Sequence, residues 1–162
     1  MPLHDLLSDE RVAILTGTSD RGAILETLAG LLAGAAESSS PARDQRARAI
    51  SDSLHARERL ASTAIGHGVA IPHGRISGLE DSRGAFLRLD VPVDFGASDG
   101  VPVDLVLAMA VPEHHVHEHL QQLAELAENF ADPGFRSRLR RADGVEALRE
   151  CLLSGGRRRS AA

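Results

Sequence analysis

The segment Val103-Asp104-Leu105-Val106-Leu107-Ala108-Met109-Ala110 is nearly continuous in apolar residues after Asp104. A strand with no polar face has to be covered on both sides, the pattern of a sheet held between layers of helix. Ala85-Phe86-Leu87-Arg88-Leu89 supplies a second strand, and the segment from Val91 to Gly100 between them carries Pro, Asp and Gly and reads as a loop. Helical periodicity surrounds these strands. Ser19-Asp20 caps a helix with Ile24, Leu28, Leu31 and Ala35 at helical spacing, predicted to end in Ala36-Glu37-Ser38-Ser39-Ser40. Pro41 opens a second helix with Ala47, Ile50 and Leu54 in a stripe that Arg57 continues. From about His115 a third helix carries Val116, Leu120, Leu123, Ala127 and Phe130, and Asp132-Pro133-Gly134 stops it. Two short helices, around Phe135 to Arg141 and Gly144 to Leu153, follow. Helices and strands mixed along one short chain, without repeats or an internal linker, predict a three-layer α/β domain.

A chain of 162 residues with 43% hydrophobic content buries one sizeable core and is short for two. It contains no apolar run long enough to cross a bilayer, and Met1-Pro2-Leu3-His4-Asp5 lacks the basic and apolar regions of a signal peptide, so a cytoplasmic protein without membrane insertion is expected. The single cysteine, Cys151, excludes an internal disulfide and a cysteine-based metal cluster. All eighteen basic residues are arginine, which we read as codon bias, and Trp and Tyr are absent. A net charge of −5 argues against a nucleic-acid binder, which would show a basic face and aromatic stacking residues. Arg157-Arg158-Arg159, after Gly155-Gly156, reads as part of a flexible basic tail over 154–162.

The chemistry concentrates in Gly66-His67-Gly68-Val69-Ala70-Ile71-Pro72-His73-Gly74-Arg75, with Arg57-Glu58-Arg59-Leu60 and Ser62-Thr63 ahead of it. Proline fixes its own φ and biases Ile71 toward extended backbone, while Gly74 permits a bend after the histidine, so His73 is expected in a stiff turn at the end of a short strand. Neutral imidazole is a nucleophile toward phosphorus near neutral pH, and the ring nitrogen of a phosphoimidazole is a good leaving group. The phrase Gly68-Val69-Ala70-Ile71-Pro72-His73-Gly74 resembles the phosphorylation-site signature of the type-2 enzyme IIA domains of bacterial phosphotransferase systems, the fructose, mannitol and nitrogen-regulatory type. The resemblance covers 6–153 and is densest at Arg57 to Arg75 and Pro102 to Asp132. It implies a mixed sheet flanked by helices on both faces, no cofactor, and a phosphoryl group carried on His73.

The resemblance also implies supporting residues. Arg57 falls where the family has an Arg-Glu pair before Ser-Thr, and a guanidinium can bind two phosphoryl oxygens; read alone, it is either a solvated residue at the rim of the core or one directed at an anion. His119 falls where the family carries an auxiliary histidine, in the first turn of a helix whose N-terminus favours phosphate; otherwise it is a boundary histidine beside Val116 and Leu123. Ser62 and Thr63 match the family's Ser-Thr and either donate hydrogen bonds within the site or cap backbone groups. Many nitrogen-regulatory members read Gly-Asn-Gly where this chain reads Gly66-His67-Gly68, so His67 is a departure.

His114, His115, His117 and His119 also suggest a metal, with 115 and 119 on one helix face, but no His-Glu-x-x-His arrangement or carboxylate at ligand spacing accompanies them, and no metal site is expected. Pro102-Val103-Asp104-Leu105, Val111-Pro112 and Leu126-Ala127 with Phe130-Ala131-Asp132 resemble the nitrogen-regulatory branch most. That branch implies phosphoryl transfer from an HPr- or NPr-like carrier to His73 and phosphorylation-controlled binding to regulatory partners such as kinases or potassium transport proteins. The alternatives are a fructose- or mannitol-type subunit passing phosphate to a IIB domain, and a non-catalytic histidine-rich binding or metal-sensing module.

Overall fold

The computed structural model describes residues 3–34, 40–114 and 116–161. Its centre is a mixed six-stranded sheet made of β1 (Val12–Leu15), β2 (Ala64–Gly66), β3 (Val69–Ala70), β4 (His73–Ile76), β5 (Arg83–Val93) and β6 (Val103–Pro112). The order is β1-β5-β6-β3-β2, with β4 also on β6. The two long strands, β5 and β6, pair antiparallel; β1 runs parallel to β5, β3 and β4 run parallel to β6, and β2 pairs antiparallel with β3. As its composition requires, β6 is buried along nearly its whole length.

Helices cover both faces. On one, α2 (Arg21–Ala33) and α3 (Pro41–Leu60) pack Ile24, Leu28, Leu32, Ile50 and Leu54 against Leu87, Val106 and Ala108. On the other, the short α1 (Leu3–Leu6), α4 (Val116–Ala131), α5 (Pro133–Arg141) and α6 (Val145–Ala161) enclose Phe86, Leu105, Leu107 and Met109. Phe130 lies parallel to Phe86 with ring centroids 6.1 Å apart and meets Phe135 at 5.3 Å, which docks the C-terminal half of α4 on the sheet. The three-layer α/β architecture with a mixed, doubly covered sheet is the one expected.

Several details differ from expectation. Helix α2 ends at Ala33, where Gly34 caps it, while 35–39 of its expected end lie outside the described residues; Asp20 and Ser40 cap α2 and α3 by accepting from Ala23 N at 2.8 Å and Arg43 N at 3.2 Å. Strand β5 runs on to Val93, into the segment expected as loop, and pairs there with Val103 beyond a bulge. Strand β1 has only four residues and no alternating pattern, which hid it from periodicity. Helix α4 begins at Val116 and buries His119, Leu126 and Phe130; Leu120, expected in the core stripe, is 60% exposed because docking through Phe130 turns it outward. The backbone of α6 stays helical through Gly155, Gly156 and the arginine run to Ala161, where a flexible tail is expected; arginine is a good helix former and is favoured near a helix C-terminus.

The arginines are used as helix terminators. Arg43 donates to the Gly30 and Gly34 carbonyls at the end of α2, Arg88 to Leu139 and Ala142 at the end of α5, and Arg136 to Phe130 and Ala131 at the end of α4. These carbonyls lack partners within their own helices, and a cation there also meets the negative end of the helix dipole.

Candidate functional site

His73 opens β4 and is not in a turn. Strands β3 and β4 form one line along β6 in a constant register, Val69 opposite Leu105, Ala70 opposite Val106 and His73 opposite Met109, interrupted only at Ile71-Pro72. Proline has no N–H to give the ladder, but its carbonyl accepts from Met109 N at 2.9 Å, so the line continues straight past it. The outer strand β2 leaves this line where Ile71 N donates to the Thr63 carbonyl at 3.0 Å. Gly74 is required for closeness and not for a bend: a Cβ there would overlap Ser53 Oγ and lie 2.9 Å from Ser53 Cβ, so glycine lets α3 pack on β4.

The imidazole is half-buried, and its Nδ1 lies 3.0 Å from the Ile71 carbonyl. A carbonyl only accepts, so this bond puts the proton on Nδ1 and leaves the lone pair on Nε2. Burial pushes the His73 pKa below its ordinary value of 6.5; the Ile71 hydrogen bond opposes the shift, Arg57 and Arg75 add to it, and Glu58 opposes it. Near neutral pH the ring is therefore neutral and nucleophilic.

His73 borders two cavities, of about 520 and 300 Å³, and Arg57 and Leu123 border both as well. The larger one brings together His73, Arg57 and His119, as expected from the sequence, and adds Arg75. Arg57 sits in the last turn of α3 with Nη1 donating to the Ala61 carbonyl at 2.8 Å. His119 is 7% exposed in the first turns of α4. Ser62 and Thr63 reach only the smaller cavity, and their hydroxyl protons are committed: Thr63 Oγ1 donates to Glu58 Oε1 at 2.6 Å and Ser62 Oγ to the Phe95 carbonyl at 2.5 Å. Glu58, buried, also accepts from Thr63 N at 2.8 Å and so fixes the chain leaving α3.

Two features were missed from the sequence. Arg75 follows His73 by two residues in a strand, a spacing that puts both side chains on one side of the sheet. Glu58 is the other: Glu-x4-Thr at a helix end can close a hydrogen bond, as Glu58 and Thr63 do here. The rim is apolar, with Leu60 83%, Leu120 60% and Ile65 42% exposed. His67 lies elsewhere, at the tip of the β2–β3 hairpin, and touches neither cavity. Of the clustered histidines, His114 and His117 are exposed and His115 lies outside the described residues; among the described residues no group of three or more His, Cys, Asp or Glu side chains is placed to hold a metal.

The family described as the phosphoenolpyruvate-dependent sugar phosphotransferase system, EIIA 2, matches residues 5–155, and the chain belongs to it. A nitrogen regulatory protein of Pseudomonas aeruginosa is 39% identical over 151 residues, 93% of this chain and 94% of that protein. One from Bradyrhizobium diazoefficiens is 38% identical over 152 residues, 94% of this chain and 95% of the relative. The crystal structure of nitrogen regulatory protein IIA-Ntr from Neisseria meningitidis superposes with a TM-score of 0.76 at 36% identity, covering 91% of this chain and 97% of that one. The chain is thus an EIIA-type phosphotransfer domain whose relatives are nitrogen regulatory proteins. Among the described residues no helix is long and apolar enough to cross a membrane.

Proposed function

We propose that this protein is a phosphohistidine carrier of the nitrogen-regulatory kind, which accepts a phosphoryl group on Nε2 of His73 from an HPr- or NPr-like carrier. The observation that supports it most is the hydrogen bond from His73 Nδ1 to the Ile71 carbonyl, which makes Nε2 the nucleophilic nitrogen of a ring lying beside two guanidinium groups. In the transfer, the Nε2 lone pair forms the new N–P bond as the N–P bond of the donor phosphohistidine breaks and its electron pair returns to the donor ring. The His73 ring becomes positively charged with its Nδ1 proton still held by the Ile71 carbonyl. Arg57 and Arg75 offset the charge spread over the three phosphoryl oxygens, and His119 orients the group. Ser62 and Thr63 act by fixing the backbone around Arg57 and Ile71, since neither has a hydroxyl proton left to donate.

The apolar rim of Leu60, Leu120 and Ile65 suits a carrier or target that docks over His73, and a bound phosphoryl group brings close to two negative charges into that rim. Phosphorylation then switches partner binding, with a kinase or a potassium transport protein as the kind of partner expected of a cytoplasmic regulatory domain. Incubation with phosphoenolpyruvate, enzyme I and an HPr-like carrier, followed by intact mass, tests the reading: one phosphoryl group is expected, labile in acid and stable in base. An acid-stable adduct would place the group on Ser or Thr. Rapid onward transfer to a sugar-specific IIB domain, with no phosphorylation-sensitive partner, would replace the regulatory role by a transport role.

A further inference from the structure

A third cavity, of about 430 Å³, lies at the β2–β3 hairpin and is lined by charged groups that phosphoryl transfer at His73 does not use. His67, Gly68, Asp104, Arg136 and Arg140 border it. Arg140 is held in place by the Asp104 carboxylate, with contacts of 2.9 to 3.2 Å from Nε and Nη2, and by the His67 carbonyl, which also accepts from Nη2; its Nη1 has no partner among the described residues. Asp104 balances the Arg140 charge, whereas Arg136 has no carboxylate partner among the described residues. Arg136 is 8% exposed, its Nη1 is spent on the Phe130 and Ala131 carbonyls at 2.9 Å, and its Nε is buried without a hydrogen-bond partner. A buried cation is costly without a counter-charge, and the carbonyl end of α4 offsets only part of that cost. The backbone is shaped to the same arrangement. Gly68 has φ +80, and a Cβ there would lie 2.6 Å from Arg140 Nη2 and 2.9 Å from Asp104 Oδ1.

We propose that this cavity binds a small metabolite through a phosphomonoester group, with Arg136 supplying the buried charge, Arg140 Nη1 a donor and the exposed His67 ring a further contact at the mouth. Two guanidinium groups and an imidazole approaching from three residues suit the three oxygens of a tetrahedral dianion better than the two of a planar carboxylate. The volume is that of a small-molecule site. The site lies on the line of chain that leads through β3 to His73, yet shares no lining residue with the His73 cavities, so it stands or falls apart from the phosphocarrier reading.

The test is a titration of the ¹⁵N-labelled full chain, unphosphorylated, with glycerol 3-phosphate and in parallel with succinate at equal ionic strength. Glycerol 3-phosphate is expected to give saturable shifts at the His67, Gly68 and Asp104 amides, and succinate none that saturate in the same range. Arg140→Gln should raise the half-saturating concentration about tenfold, the usual effect of losing one charge-assisted hydrogen bond. His67→Asn, which keeps a residue tolerant of positive φ, should raise it by a smaller factor, and His73→Ala should leave it unchanged. Shifts confined to Arg57, His73 and Arg75, or no saturation at the hairpin amides, would overturn the proposal. So would an unaltered curve in both Arg140→Gln and His67→Asn, or equal saturation by succinate. If Arg140→Gln fails to fold, His67→Asn decides.

Discussion

Two histidines six residues apart on one line of chain have opposite surroundings. The ring of His73 is half-buried, bonded through Nδ1 to a carbonyl, shifted toward its neutral form and accompanied by Arg57 and Arg75. At His67 the backbone makes the bonds: its N–H donates to Asp99 at 2.8 Å, its carbonyl accepts from Arg140, and the side chain is exposed from a backbone at φ 57. Residue type alone therefore says little about chemistry. A carbonyl that fixes the tautomer and partial burial that favours the neutral ring prepare one imidazole for nucleophilic chemistry, whereas the other is held through its backbone with its ring exposed.

The largest expected contrast between the two ends is in phosphoryl acceptance. His73→Ala should abolish the adduct in intact mass spectra while circular dichroism stays that of the folded protein; a phosphorylated variant would break the contrast outright. Next come the cations and the auxiliary histidine. Arg57→Ala, Arg75→Ala and His119→Ala should each slow acceptance by about ten- to a thousandfold in a quenched time course, as expected for groups that position or stabilise charge. Unchanged rates in all three would reduce the site to His73 alone.

A smaller effect is expected on stability. Gly74→Ala forces a methyl against Ser53 and should cost about 1–3 kcal/mol in urea unfolding, as overpacking usually does. Ser53→Ala in the same chain should recover part of it, and an unaffected midpoint for Gly74→Ala would refute the packing account of this glycine. The pH dependence follows from the lowered His73 pKa. The folded state binds fewer protons at this ring than the unfolded state, so His73 contributes stability above 6.5 that is lost as pH falls through the folded pKa. Acceptance should decline on acidification with a midpoint below pH 6.5, and His73→Ala should flatten the stability profile in that acid range. A decline already centred at 6.5 would contradict the shift. The smallest expected change is that of His67→Asn, for which acceptance should stay within about twofold of the parent, because the ring lies outside both His73 cavities.

Much of this was readable along the chain because the relevant signals are local. The apolar run of β6 required a doubly covered sheet, caps and prolines marked α2 and α3, and Ile71-Pro72-His73-Gly74 singled out the histidine that borders the two cavities. What escaped depends on contacts between distant segments. Leu120 faces outward only because Phe130 stacks on Phe86, far away in the sequence, and Gly74 is needed only because α3 crosses β4 at Ser53. The hydroxyls of Ser62 and Thr63 matched a family pattern, but their partners, the Phe95 carbonyl and Glu58, could be assigned only once the chain had folded back on itself.

The central claim is that the Ile71 carbonyl makes Nε2 of His73 the phosphorylated nitrogen. It is tested most directly by ¹⁵N–³¹P correlation on protein labelled in its histidine rings and phosphorylated through enzyme I and an HPr-like carrier. The account predicts a single phosphorus coupling, to Nε2 of His73, with Nδ1 still protonated. Phosphorus coupled to Nδ1 of His73, or to the ring of His67 or His119, would contradict it.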